Sequence, residues 1–389
     1  MIFLAAFDNI NALTPKSRTI KAAYAEVLVP IIRDMLDITG AIRIDDYTGF
    51  GSTTNPKVAI KFRPFEPLLF RASYNTSFRV PTFNQIFNGI TTAQYLGSDI
   101  ADPVRCPGGV PTAPLGSTDP CAQIRPEIGT GGNINLGPET AEQYSAGVVI
   151  TPAPLFSASL DFWSIAVDNT IAELTLRQLI ENAALFPDRF IRNPPGTGDI
   201  VAIDRRWINA GARRTQGLEI MLRGAIDAMG GRFSAGLDGT YLLKKKEKLT
   251  QDSPFTGSQI GIFTFTGDLG IRWKHNAFVS YTTDDFNITF TQLFRNGYRN
   301  FALPGIASGA ITRPDYNERV SDYIIYNLSI SYGGLAPGLR LSMGVKNLFD
   351  RDPLFAITYD GNTGAGSSWE PRIADPRGRS YTFSAEVKF

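Results

Sequence analysis

Apolar and polar residues alternate with a period of two along most of this chain, and the last ten residues show it without a fault. Tyr381, Phe383, Ala385, Val387 and Phe389 fall on one side, and Ser380, Thr382, Ser384, Glu386 and Lys388 on the other. Period-two alternation marks a strand with unlike faces. A strand that stops on an aromatic with no polar tail fits a transmembrane β-barrel, whose last strand turns one face to lipid and the other to a wet lumen. The same alternation runs through 36–44, 58–62, 68–78, 233–243, 271–281, 286–294, 324–332 and 341–345. Within 155–167 the apolar phase switches between Phe162 and Trp163, which predicts a β-bulge there.

Alternation alone also suits a half-buried sandwich strand, and the connections discriminate. Tight ones fall at 64–67, 151–154, 282–285 and 333–338; long ones span roughly 79–138, 169–209, 245–268, 301–319 and 349–378. Short and long are read as strictly alternating, the asymmetry of a barrel with short periplasmic turns and long extracellular loops. The fold class is therefore all-β: an antiparallel transmembrane barrel of about thirteen strands, from one near 19–30 to the last at 378–389. Residues 1–18 read as an irregular segment and 19–389 as the barrel portion. One helical signal, Thr175 to Phe186, sets Leu176, Leu179, Ile180 and Ala183 at helical spacing inside a long loop. It predicts a short helix packing its apolar side on that loop.

Composition narrows the class. No stretch reaches the roughly 18 to 20 unbroken apolar residues that a membrane helix needs, and a mean hydropathy of -0.07 is compatible with alternating strands. A net charge of +1 argues against a nucleic acid held by a basic surface. Met1 to Asp8 is apolar but short and lacks a basic n-region, so no export signal is read there. Cys106 and Cys121 lie close together among Pro, Gly, Ser and Thr. They read as a disulfide pinning a loop in an oxidising compartment, worth roughly 3 kcal/mol for such a loop; the alternative is two unrelated free thiols. Their spacing does not fit a zinc site.

Several segments are recognisable. Arg71-Ala-Ser-Tyr-Asn-Thr-Ser-Phe-Arg-Val-Pro-Thr-Phe-Asn-Gln-Ile-Phe87 resembles the "sy..gfraPtf.elf" segment of TonB-dependent outer-membrane receptors. Leu136-Gly-Pro-Glu-Thr-Ala-Glu-Gln-Tyr-Ser-Ala-Gly147 is similar to their "L.PE.a..ye.G" segment, and Asn209-Ala-Gly-Ala-Arg-Arg-Thr-Gln-Gly-Leu-Glu219 to their "Na....GlE" strand. Gly344-Val-Lys-Asn-Leu-Phe-Asp350 resembles "v.NLfd", and the terminal strand resembles the family's last. Each motif is weak alone; five in the family's order carry the resemblance.

The resemblance implies an energised importer: a barrel of about 22 strands with a plugged lumen, a box that contacts TonB, and uptake of siderophores, other metal chelates or oligosaccharides. It covers nearly the whole chain from about residue 19, and the signal peptide, TonB box, plug and about nine strands have no counterpart here. The expectation is the C-terminal part of a receptor barrel in the cell outer membrane, plug-less and not transport-competent alone. A passive pore or structural barrel without energised gating is the alternative, and a β-rich extracellular binding module a third reading. Expected partners are outer-membrane lipid and lipopolysaccharide, a small-molecule substrate, and the barrel-assembly machinery through the C-terminal Tyr381, Phe383, Val387 and Phe389. TonB is expected only through the missing N-terminal half. No nucleic acid and no cofactor is expected. Open sheet edges would be costly, since each unsatisfied backbone group in hydrocarbon costs several kcal/mol. Self-closure of thirteen strands would pair the edge strands in parallel.

No catalytic set is read, so no enzyme is expected. His275, the single histidine, follows Trp273 on an outward face ahead of a tight turn and reads as interfacial. Asp45-Asp46 and Asp284-Asp285 sit at strand ends, where turns favour Asp, and Asp360 to Gly364 reads as a flexible loop. Lys244, Lys245, Lys246 and Lys248 top a rising strand; they read as a solvated loop base or, more sharply, as a contact for anionic lipopolysaccharide. Ligand contacts are expected on loops and the upper lumen, from Arg79, Phe83, Asn84, Gln85, Tyr95, Tyr298, Arg299, Tyr359 and Trp369, because aromatics suit flat rings and arginines suit carboxylate-bearing chelates.

Overall fold

The computed structural model describes residues 16–263, 269–300, 318–358 and 368–388, and the backbone of 2–3 and 12–13, which pair as a short antiparallel ladder. Thirteen strands follow one another in a single antiparallel meander: β1 (Ile20–Ile32), β2 (Leu36–Tyr47), β3 (Gly51–Phe65), β4 (Leu68–Arg79), β5 (Glu139–Ala153), β6 (Phe156–Asp168), β7 (Ala212–Ala228), β8 (Gly231–Glu247), β9 (Trp273–Thr282), β10 (Phe286–Arg295), β11 (Tyr323–Ala336), β12 (Leu339–Lys346) and β13 (Ser380–Val387). The sheet is an open section of barrel wall, with β1 and β13 at its edges.

Its faces are chemically opposite. The outer face is apolar and uncovered: Leu160, Ile226, Val279 and Phe383 are 44, 63, 55 and 72% exposed. A patch of this extent needs a non-aqueous neighbour. Aromatic pairs bracket it on β8 and β9, with Phe233–Tyr281 ring centroids 4.5 Å apart at the turn end and Tyr241–Trp273 6.4 Å apart at the loop end. Trp273 and Tyr281 are eight residues apart, about 27 Å along a strand and about 20 Å along the normal at a tilt of about 40°, close to the height of a barrel's apolar band. Trp273 gains its position by lying over Gly239, where a Cβ would meet its ring at 2.1 Å. No helix among the described residues is long and apolar enough to cross a membrane.

The connections at one end of the wall are all short: 33–35, 66–67, 154–155, 229–230, 283–285 and 337–338. In the two-residue turn at 229–230 both Met229 (φ 54) and Gly230 (φ 73) are left-handed, the conformation whose twist matches a hairpin's strands. At the other end the connections are long, with one exception that corrects the strict alternation: β2 and β3 are joined by 48–50. The predicted bulge is also corrected. β6 pairs in unbroken register through Phe162↔Ala146 and Trp163↔Ser145 on one side and Phe162↔Leu218 and Trp163↔Gly217 on the other. The phase switch has a different cause. Beyond Phe162 the outer face turns polar, with Gln216 donating to Ser164 Oγ at 3.2 Å, while Trp163 fills the space above Gly217 on the inner face. A true shift lies nearby, on β8 between Leu242 and Lys244.

The terminal strand pairs along β12 from Lys346↔Ser380 to Leu339↔Val387; Phe389 lies outside the described residues. His275 sits near the loop end of β9, and the tight turn closes that strand's far end. Its ring stacks on Phe294 at 5.0 Å, and its Nε2 hydrogen-bonds Gln292 Oε1 at 2.8 Å.

Candidate functional site

The inner face of the wall is polar and largely self-paired. Arg71 on β4 and Asp161 on β6 are separated by β5, and both oppose Gly147. Arg71 reaches over it, with Nε and a terminal nitrogen each donating to one Asp161 oxygen at 2.7 Å. A Cβ at Gly147 would stand 1.9 Å from Asp161 Oδ1, so only glycine leaves this bridge its path. Arg223 donates to Asp238 from the same face and lies over Phe278 at 5.5 Å. Lys274 and Arg295 are inward cations that directly face each other across two strands, and among the described residues neither has a carboxylate within ion-pair distance.

Above the wall the long loops fold into a cap. Loop 80–138 holds α1 (Phe83–Phe87) and strands Thr91–Gln94 and Glu127–Thr130; loop 169–211 holds α2 (Leu176–Glu181) and strands Phe190–Asn193 and Asp199–Asp204. The four strands form one sheet, joined between loops by a parallel pairing that includes Ile203↔Ile128. Tyr95, Ile128, Leu179, Ile180, Ile203 and Leu249 belong to its sealed core. The helix expected within 175–186 is α2, shorter than the signal, with Leu179 and Ile180 buried as that reading required. Cys106 and Cys121 are joined by a disulfide of 2.04 Å within the first loop. A second cluster, including Phe263, Leu269, Tyr298 and Val320, lies over the later strands.

Asp102 ties the two large loops together. Its carboxylate accepts from Arg192 at 2.7 and 2.8 Å and from the backbone of Val104 and Arg105 at 3.0 and 3.3 Å. Burial works to raise its pKa, and the Arg192 and backbone hydrogen bonds outweigh it, so the carboxyl stays below the usual range. Glu370 follows the same balance with Arg372. Tyr298 is pushed far above its ordinary value by burial and the nearby Glu370 carboxylate, and stays a neutral donor.

Motif residues root these loops. Asn209 receives Gly137 N–H at 2.6 Å and donates to Gly137 O and Asn169 O at 2.9 and 3.1 Å. Glu139 pairs with Arg79 and accepts from Ile171 N–H at 2.6 Å. Asn347, left-handed at φ 50, closes the start of the last loop by exchanging hydrogen bonds with Arg351 at 2.8 and 2.9 Å.

The expected contact residues divide between the two loop clusters, and several already have partners. Gln85 is buried and its Oε1 caps α1 by accepting from Thr82 N–H at 3.0 Å. Tyr95 is 4% exposed with its hydroxyl on Asp99, and Tyr298 is 3% exposed; neither offers a surface. Arg79 is held by Glu139, and Arg299 pairs with Glu318 at 3.0 Å. Phe83 and Asn84 are exposed on α1, Trp369 is half-buried, and Tyr359 lies outside the described residues, as does 360–364. Sequence alone does not single out Lys274 and Arg295. Their signal was available, two cations at inward positions of facing strands, but their pairing required the register.

Wall, polar inner face and folded loops at one end define a section of an outer-membrane-type barrel. The family described as TonB dependent receptor-like, beta-barrel matches residues 4–348, and the chain belongs to it. A search of curated proteins finds no match. Among solved structures the chain is similar to the ferric enterobactin receptor PfeA of Pseudomonas aeruginosa, with 20% identity over 96% of this chain and 46% of that one and a TM-score of 0.66. The siderophore receptor PirA of Acinetobacter baumannii gives 19% identity, 96% and 46% coverage and a TM-score of 0.62. The copper transporter OprC gives 13%, 96% and 48%, and 0.55. At such identities the likeness is one of fold, and the chain spans about half the length of these relatives.

Proposed function

We propose that this chain is the C-terminal wall and loop layer of an outer-membrane receptor that takes up a metal chelate of the siderophore class with energy from TonB. The observation that carries this reading is the polarity of the wall: an apolar face for lipid, a charged face for a lumen, and the folded loops gathered at one end. Lys274 and Arg295 suit an anionic chelate passing the lumen, and exposed Phe83 with half-buried Trp369 suits its rings. The thirteen strands do not transport by themselves. Both edge strands run from the loop end to the turn end, so antiparallel closure requires an odd number of further strands, and an open edge in hydrocarbon is costly.

The experiment is vectorial labelling of the chain exported behind a heterologous leader. A Ser258→Cys variant reports the loop layer and a Pro337→Cys variant the turn end. A membrane-impermeant maleimide should label Ser258→Cys on intact cells and Pro337→Cys only after the outer membrane is permeabilised. Equal labelling of both on intact cells would sink the orientation and the function built on it.

A further inference from the structure

A cationic rim stands directly above an apolar groove on the lipid-facing side of the wall. The groove is shallow and open on its outer side, with a volume of about 440 Å³. Its floor is made by small residues, Ala72 and Ala146, and its sides by Phe62, Phe70, Phe162 and Leu218. Along β7 from Leu218, the next outward positions are Gln216 and Arg214, about 7 and 13 Å further up. Lys244 and Lys246 on β8 face them in register. Strict alternation from outward Tyr241 would send both lysines to the lumen. The shift between Leu242 and Lys244 brings them instead onto the lipid side, the re-aiming that a bulge performs. Arg272 joins the rim with its guanidinium 5.9 Å from the Tyr241 ring.

The charges on this face do not cancel. Arg214 is paired with Asp168 at 2.7 Å. Among the described residues Lys244, Lys246 and Arg272 have no carboxylate in ion-pair distance; Glu142 lies on β5 across β6, and Asp46 on the distant β2. Unpaired cations at the upper edge of an apolar band, one strand-row above an acyl-sized groove, are complementary to a lipid with phosphate on its headgroup. We infer that this face binds one phosphorylated glycolipid of the outer leaflet, its phosphate at Lys244, Lys246 and Arg272 and one acyl chain over Ala72 and Ala146. This deepens the outer-membrane reading and rests on it.

The test uses the full chain extracted from outer membranes in detergent, with bisphosphorylated lipid A and the same lipid stripped of phosphate as probes. Binding is read by native mass spectrometry. Wild type should prefer the phosphorylated form, and a Lys244→Ala/Lys246→Ala variant should bind it at least about tenfold more weakly, since each cation near a headgroup surface contributes on the order of 1 kcal/mol. Ala146→Phe, which fills the groove and leaves every charge in place, should weaken binding of both forms. Unchanged binding by the double variant, or equal binding of phosphatidylglycerol by wild type, would overturn the site. Heat-modifiable migration of each variant reports barrel folding separately. Equal labelling of Ser258→Cys and Pro337→Cys on intact cells removes the outer-membrane reading and the lipid site with it, whereas a correctly oriented wild type without preference for the phosphorylated form removes the site alone.

Discussion

The wall and the cap are made by one chain yet hide their apolar residues by opposite means. In the wall, Val279 and Phe383 stand 55 and 72% exposed, and only a non-aqueous neighbour outside the chain would cover them. In the cap, Leu179 and Ile203 are sealed at 1 and 0% by other parts of the same loops. The wall therefore demands outward apolarity and an unbroken hydrogen-bond ladder, and tolerates many side-chain shapes. The cap demands specific partners, as any water-excluding core does. A lost partner should injure the cap, and a misplaced charge the wall.

The largest effect is expected at the cap's buried ion pair. Asp102→Ala leaves the Arg192 guanidinium, about one-tenth exposed, without its carboxylate, a change that costs about 3–5 kcal/mol when a buried pair is broken from one side. Amide exchange should accelerate across 80–138 and 169–211 while β7 to β10 keep their protection; equal loss in the wall would collapse the distinction. A comparable but slightly smaller loss is expected from Leu160→Arg, about 2–4 kcal/mol for a cation on the lipid face of a barrel. Urea titration in lipid vesicles measures it, and the cap's exchange should stay unchanged for the fraction that remains inserted. Acid separates the regions more gently. Asp102 and Asp204 both have depressed values, burial opposing and arginine and backbone hydrogen bonds prevailing. Their contribution is full above the ordinary value of 3.8 and is lost as pH falls through the lower folded values. Exchange compared at pH 6 and pH 3 should show the cap loosening first; a wall that loosens at the same pH would deny the carboxylates this role.

Sequence and structure agree where period-two alternation operates. The faces of β4, β9 and β11 and the turns at 66–67 and 283–285 were legible because a wall with one apolar and one polar face imposes a rule on every second residue. The rule fails where the apolar band ends. Trp163 broke the phase because β6 rises above the apolar band, whereas the real shift at Leu242–Lys244 was concealed by the adjacent Leu243, apolar on either register. The cap was illegible as a fold. Ile128 and Ile203 meet across 75 residues of chain, and no local period announces such a contact. Residue type marks Tyr95, Tyr298 and Gln85 as contact candidates but says nothing about burial: the two tyrosines lie in sealed clusters and Gln85 caps α1.

The smallest effect gives the sharpest form of the comparison, because the two regions hold ion pairs of nearly the same geometry. Arg71–Asp161 in the wall is two-pronged at 2.7 and 2.7 Å, and Arg192–Asp102 in the cap is two-pronged at 2.8 and 2.7 Å. They differ in surroundings: the arginine side chain is 52% exposed in the wall and 10% in the cap. Water in the lumen screens the first pair and solvates either member when the other is removed. A double-mutant cycle on Arg71 and Asp161 should therefore give a coupling of about 0.2–1 kcal/mol, shrinking as salt is raised. The same cycle on Arg192 and Asp102 should give a larger coupling with little salt dependence. Equal couplings would mean that the lumen face is as dry as the cap, and that the polar side of this wall is packed against something other than water.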